Sequence, residues 1–183
     1  SNHSKIFVDA RNLLNREKID AVDIPILFIQ LESGQNGTLT PYPGQGVGQT
    51  WLGADGATIT LERGVIKASR GMGDDVMGST TSMPSWSNIK NEVIVYSRKI
   101  GYIAGNNKIF QRVFECKIKK INKTEVLEIW QVKFFTKKFE EICNSNGFEF
   151  KNFYYLDSSE IVRKSLQYHS STLGYLTTER LDR

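Results

Sequence analysis

The chain has few of the residues that build metal sites and catalytic nucleophiles, with two cysteines and two histidines among 183 residues. Cys116 and Cys143 lie far from both histidines in sequence, so no short-spaced ligand set is present. His3 falls in the first residues, and His169, beside Ser170, is expected in a surface turn. No Gly-x-Ser-x-Gly elbow occurs. The sequence therefore predicts no metal, no cofactor and no catalytic residue.

Long apolar runs are also missing. None approaches the roughly 18 residues that would span a bilayer, and no basic segment followed by an apolar core marks a signal peptide. Residues 1–4, "SNHS", are interpreted as a tag remnant or linker. The net charge of +4 comes from 24 basic and 20 acidic residues, a mixed distribution that gives no reason to expect a nucleic-acid partner. The length predicts one domain, residues 1–183.

A nucleotide-binding loop is excluded as well. Residues 43–49, "PGQGVGQ", lack the preceding strand, the following helix and the Lys-Ser/Thr pair of a P-loop. The surrounding Gly- and Pro-rich residues 34–49 are predicted to form a loop or a very irregular strand.

Apolar spacing predicts a short helix over residues 5–20 and a β-type run that begins at Pro25. Residues 49–70 read as a three-stranded meander with tight turns at Asp55-Gly56 and Gly64. We assign both glycines to folding rather than to a ligand loop.

The second half alternates over long stretches. Phe114, Cys116 and Ile118 share the parity of a buried face, and Lys117 and Lys119 share the opposite one. Turns are expected at residues 122–124 and 146–147, and in the tail after Leu156 and near Gly174. The predicted fold is mainly β, a β-rich α+β class: an antiparallel meander of about eight to ten strands in a half-closed or closed barrel-like sheet, with one or two short helices.

Acidic residues give one catalytic alternative. Asp55, Asp74 and Asp75 could act on a glycan if two of them faced each other across a cleft. Asp-Asp after glycine is more typical of the first turn of a helix, where carboxylates face free N–H groups.

Other side chains are candidates for binding. Lys117, Lys119 and Lys133 predict a basic surface on paired strands, and the tryptophans are more typical of core than of sugar-stacking positions. The predicted ligand-binding residues are Trp51, Asp55, Arg70, Asp74, Trp86 and Arg163.

The two cysteines allow two states. They are free thiols in a reducing compartment or one disulfide in an oxidising one, and the residues alone do not choose between these.

Two stretches carry a family resemblance. Trp51, Asp55, Gly56, Leu61 and Gly64, followed by "ASRGMGDDVMG" (68–78), resemble the YjbF/GfcB family of lipoproteins, encoded with exopolysaccharide or group 4 capsule secretion genes. The tail resembles the closing segment of that family at Tyr154, Tyr155, Ser165, Gln167, Gly174 and Tyr175.

The resemblance implies an N-terminal signal peptide and a lipid-modified cysteine, and a periplasmic domain anchored to the outer membrane. Oxidising surroundings would then favour a Cys116–Cys143 disulfide. The family offers no catalytic residue or cofactor to carry over, and partners are expected to be an anionic polysaccharide or secretion proteins. The leading hypothesis is a non-enzymatic domain that assists polysaccharide export. The alternatives are a lipid-binding half-barrel and, less favoured, a glycan-cleaving enzyme.

Overall fold

The computed structural model describes residues 9–44, 46–104 and 106–183, apart from the side chain of Asn122. Within these residues the chain forms one sheet of twelve antiparallel strands, one short α-helix and two 3-10 turns. The mainly β prediction is confirmed, with two strands more than the upper number expected. The strands are β1 Leu27–Leu31, β2 Asn36–Tyr42, β3 Gln49–Gly53, β4 Thr58–Glu62, β5 Val65–Arg70, β6 Asp75–Thr81, β7 Ile94–Ile103, β8 Ile109–Ile129, β9 Val132–Ser145, β10 Phe148–Leu156, β11 Val162–Ser170 and β12 Gly174–Arg180.

The sheet is a meander whose first and last strands in sequence are paired. The order is β5-β4-β3-β2-β1-β12-β11-β10-β9-β8-β7-β6, so β5 and β6 form its two edges. These edges meet through side chains: the Val76 amide donates to Ser69 Oγ at 3.1 Å, and the Arg70 guanidinium donates to the Val76 carbonyl at 2.9 Å. The result is an almost closed barrel.

Alternate turns of a meander lie at opposite ends of the barrel. The turns after odd-numbered strands share one end, here called the cavity end, and the turns after even-numbered strands share the other. Trp86 lies at that other end, where its indole donates to the Arg63 carbonyl of the β4–β5 turn at 2.9 Å.

The N-terminal helix prediction is wrong in extent. Residues 5–8 lie outside the described part of the chain, and the remainder splits into a 3-10 turn, Ala10–Asn12, and a helix α1, Arg16–Ala21. Asn15 separates them because its backbone is extended and its side chain accepts a hydrogen bond from the Lys18 amide, as an N-cap does. None of the helices in the described residues is long and apolar enough to cross a membrane.

Two segments expected to lack regular strands are strands. β2 crosses the Gly- and Pro-rich region, and Pro41 is tolerated because it lies beyond the residues paired with β1 and faces only β3. β6 begins at Asp75, where a helical turn had been anticipated. The Asp75 carboxylate does accept the amides of Gly71 and Met72, but the turn it caps leads into a strand.

The turn expected at residues 122–124 is also misplaced. β8 continues to Ile129, and its register with β9 shifts between Lys120 and Thr124, as a bulge would produce. The hairpin turns instead at Trp130 and Gln131, which both have positive φ. Arg16 of α1 fastens this tip by donating to the carbonyls of Trp130 and Ile129. The tip thereby covers a second small core around Phe28, on the other face of β1 from Leu27 and Ile29.

The buried parity expected for β8 and the turn expected at residues 146–147 are confirmed. Phe114, Cys116 and Ile118 are buried, whereas Val113 and Lys117 are exposed. The β9–β10 turn has positive φ at Asn146 and Gly147.

Candidate functional site

A cavity of about 520 Å³ opens at the cavity end of the barrel. Its apolar wall comes from β1, β2 and two turns. Ile29 and Leu31 project from β1, and Leu39 from β2, while Met72 lies in the β5–β6 turn and Leu173 in the β11–β12 turn. The volume falls in the range of about 300–1,000 Å³ typical of small-molecule sites.

The cavity exists because one inward position of β2 carries no side chain. Gly37 is paired with Ile29 and has the same parity as the buried Leu39. A Cβ placed on Gly37 would meet no atom within 4 Å. A larger residue there would occupy the space between the β1 side chains and the turns.

The rim of the cavity carries polar groups, of which Asp55 and Asn36 have identified partners. The Asp55 carboxylate accepts the Ala57 amide at 3.0 Å and so stabilises the β3–β4 turn. The Asn36 amide accepts from the Ala10 backbone at 2.9 Å and donates to the Gly34 carbonyl at 3.2 Å. Among the described residues that line the cavity there is no aromatic side chain, lysine or arginine. Asp55 is thus the one predicted binding residue that lies at this cavity.

The three lysines of the predicted basic surface do not share one face of β8 and β9: Lys117 and Lys119 lie on the outward face, whereas Lys133 has the strand parity of the buried Cys143. Lys117 and Lys133 are exposed, and Lys119 is half-buried. Lys119 is paired with Glu140, and Lys133 with Glu128, while Lys117 is paired with Ile142. Acidic neighbours therefore offset part of the positive charge. Of the three lysines, Lys117 is the one whose partner in the β8–β9 pairing is not a carboxylate.

Trp51 and Trp86 are buried. The Arg180 guanidinium lies 5.1 Å from the Trp51 ring centroid, and the Trp86 ring contacts Phe139 and Tyr154 at 5.0 and 5.1 Å. These are packing contacts, and a role for either tryptophan in binding stays a prediction.

Arg70, Asp74 and Arg163 are not brought together with the tryptophans. Arg70 binds backbone carbonyls at the β5–β6 seam. Asp74 is half-buried in the turn between these strands. Arg163 is buried, forms an ion pair with Asp157 at 2.7 Å and lies over Phe134. The structure thus distributes the six predicted binding residues rather than assembling them, and their roles stay predictions.

A polar cluster that the sequence did not reveal lies inside the barrel. The Glu141 carboxylate is fully buried and accepts from Arg98 at 3.1 Å, Asn152 at 2.9 Å and the Tyr154 hydroxyl at 2.8 Å, and also from the Tyr96 hydroxyl. Burial and the Glu141 charge raise the pKa of Tyr154 well above its usual value. Burial, the largest single influence, lowers the pKa of Arg98, but the Glu141 charge and the neighbouring tyrosines together outweigh it, so the pKa of Arg98 is raised.

The two cysteines form a disulfide directly across β8 and β9, next to this cluster. Within the described part of the chain, the one compact group with metal-ligand types is Cys116, Glu141 and Cys143. Both thiols are committed to the disulfide, and the carboxylate is committed to the polar cluster.

The expectation of a surface turn for His169 is wrong. His169 is buried in β11, and its imidazole bonds Ser69 Oγ at 2.9 Å and Ser170 Oγ at 2.8 Å. Ser69 in turn donates to Asp75 at 3.0 Å. Burial lowers the pKa of His169 to about 4, against the opposing influence of the Asp75 and Asp74 charges. This chain of contacts ties β11 to both edges of the sheet.

Gln167 performs a similar task two residues earlier on the same strand. Its amide oxygen accepts the Ile66 backbone N–H at 2.9 Å, and its nitrogen donates to the Gly64 carbonyl at 2.7 Å. Since β5 is a sheet edge, these bonds satisfy backbone groups that a neighbouring strand would otherwise take.

These features define a class: an almost closed antiparallel barrel with a polar, hydrogen-bonded middle and an aliphatic cavity at one end. The chain matches the family described as "Group 4 capsule polysaccharide lipoprotein gfcB, YjbF" over residues 3–181. It therefore belongs to this family of envelope-associated capsule lipoproteins, which confirms the resemblance found in the sequence.

A solved structure shares the fold. The hypothetical lipoprotein YmcC from Escherichia coli (K12) superposes with a TM-score of 0.81 at 17% identity, covering 95% of this chain and 91% of that one. No curated protein matches the chain by sequence.

Proposed function

We propose that this domain is a non-enzymatic component of capsule or exopolysaccharide export, held at the periplasmic side of the outer membrane by an N-terminal lipid anchor. The domain acts by binding, and its ligand is the anionic polysaccharide or a secretion protein. The observation that carries the proposal is the family match, which extends over nearly the whole chain.

The lysines of β8 and β9 support glycan binding. Lys117 and Lys133 are both exposed on two long paired strands, at positions where each can attract an acidic polymer. Lys117 is expected to contribute more, because Glu128 lies opposite Lys133 and weakens its attraction for an anion.

Three carboxylates had been considered for glycan cleavage, and two of them have turn-forming partners. Asp75 accepts two backbone amides and a hydroxyl, and Asp55 accepts one amide. These contacts give each carboxylate a structural task and favour a binding role over turnover.

Calorimetry of the domain with the host's own extracellular polysaccharide, at low and moderate salt, tests the proposal. We expect binding that weakens with salt and leaves the glycan length unchanged. Lys117→Gln should weaken binding by up to about fivefold, the equivalent of the roughly 1 kcal/mol limit for an exposed ion pair. Lys133→Gln, the matched control, should have a smaller effect.

One result would contradict this proposal, and another would decide between its two ligands. Shortening of the glycan during incubation would show an enzyme. Absence of heat at high glycan concentration would remove the glycan as ligand and direct the search to a secretion protein.

A further inference from the structure

The cavity at the barrel end is unlike the lysine-bearing surface in chemistry, and it lies apart from it. We propose that this cavity binds a single aliphatic chain, the acyl chain of a lipid, with the polar end of the lipid left at the Asp55 rim. This inference goes beyond glycan export, since it concerns a second ligand at a separate site.

The wall of the cavity decides the class of ligand. Ile29, Leu31 and Leu39 form the strand side of the wall. Met72 and Leu173 extend the wall from two turns. A sugar placed against these five side chains would leave the hydroxyl groups that face them without hydrogen bonds, which is unfavourable. An alkyl chain has no such groups and gains free energy when aliphatic side chains remove it from water.

The mouth of the cavity decides how far the ligand enters. Leu13 lines the opening and is 59% exposed, so a chain that enters there covers apolar surface now in contact with water. Asp55 is an acid and no lysine or arginine is among the described lining residues. An anionic head is therefore repelled rather than held, and we expect neutral heads to be preferred.

Two of the polar side chains at the cavity already hold neighbouring backbone groups, and Gln35, Thr38 and Thr58 complete the polar part of the lining. Asn36 is bonded to Ala10 and Gly34, and Asp55 is bonded to Ala57. Met72 adds an unbranched, flexible side chain that can adjust to an alkyl chain. The cavity thus combines a fixed wall on β1 and β2 with an adaptable turn.

The three methionines of the chain supply a test within the protein itself. Met72 lines the cavity, Met77 lies in β6, and Met83 is buried by the other end of the barrel. Titration of the methyl-¹³C-methionine protein with 1-hexanol, 1-octanol and 1-decanol should shift the Met72 methyl resonance in a saturable way. Each added methylene should tighten binding about fourfold, from ~0.8 kcal/mol per buried CH₂.

Gly37→Leu should abolish the Met72 response by filling the cavity. Gly78→Leu is the matched control: Gly78 also lies in a strand, also has open space at its Cβ position and does not line the cavity. It should bind 1-decanol like the unmodified protein. Unchanged Met83 resonances in both variants verify that each is folded.

Three results would overturn the inference: no saturable shift at Met72, equal shifts at all three methionines, or binding that survives Gly37→Leu. A Met72 shift caused by the polysaccharide instead of the alcohols would overturn it too. Calorimetry with the polysaccharide reports on the lysine-bearing surface, so failure of one proposal is visible without failure of the other.

Discussion

The middle of the barrel and its cavity end differ in how their side chains are used. In the middle, the buried Glu141 carboxylate has four partners, and they come from two other strands, β7 and β10. At the cavity end, aliphatic side chains surround space that Gly37 leaves open. Buried polar residues here hold the fold together, so the position to search for a ligand is the apolar, unfilled one.

Removing the cation beside Glu141 is expected to have the largest effect. Arg98→Leu leaves a fully buried carboxylate without its charge partner, which should lower the free energy of unfolding by about 3–5 kcal/mol. Urea denaturation measures this. The Arg98→Leu/Glu141→Leu double variant should recover part of the loss, and 1-decanol binding should be unchanged in both. A loss below about 1 kcal/mol would contradict the view that Arg98 compensates a buried charge.

Loss of the disulfide should have a slightly smaller effect. The bond closes a loop across a sequence separation of 27 residues. In the chain-entropy account, the Cys116→Ala/Cys143→Ala variant loses about 3–4 kcal/mol of stability. Denaturation of the oxidised protein and the variant compares them. Equal midpoints would mean that the unfolded chain already keeps β8 and β9 close together without the disulfide.

The pH dependence of His169 is the smallest of the three effects. Its pKa falls from 6.5 in the unfolded chain to about 4 in the fold. Between these two values the imidazole is protonated in the unfolded chain and neutral in the folded protein. The contribution of His169 to stability is therefore fully present above pH 6.5 and is lost as the pH falls toward 4. Between pH 7 and pH 5 the loss is about 2 kcal/mol.

The His169→Gln variant serves as the control for this pH dependence. It should be less stable at pH 7, where the bonds to Ser69 and Ser170 are missing, and should lose less stability on going to pH 5. An unchanged slope would show that the pH dependence does not come from His169.

Turns illustrate what could be predicted and what could not. Asp55-Gly56 and Asn146-Gly147 were located correctly because these residues adopt positive φ readily and the turn is local. Trp130 and Gln131 gave no such signal. Their turn depends on Arg16, which lies more than a hundred residues away and binds the Trp130 and Ile129 carbonyls. Local chemistry was sufficient in the first case and absent in the second.

Alternation alone determined the antiparallel β class, the buried parity of β8 and the assignment of Gly56 and Gly64 to turns. The family resemblance was also present in the residues. Only the tertiary structure decided that the predicted binding residues are dispersed, that His169 is buried, and that Gly37 opens a cavity. The physical reason is distance along the chain: burial parity and turn chemistry are set by neighbours in sequence, whereas a cavity is bounded by β1, β2 and the turns before β6 and β12. These meet only when the barrel closes.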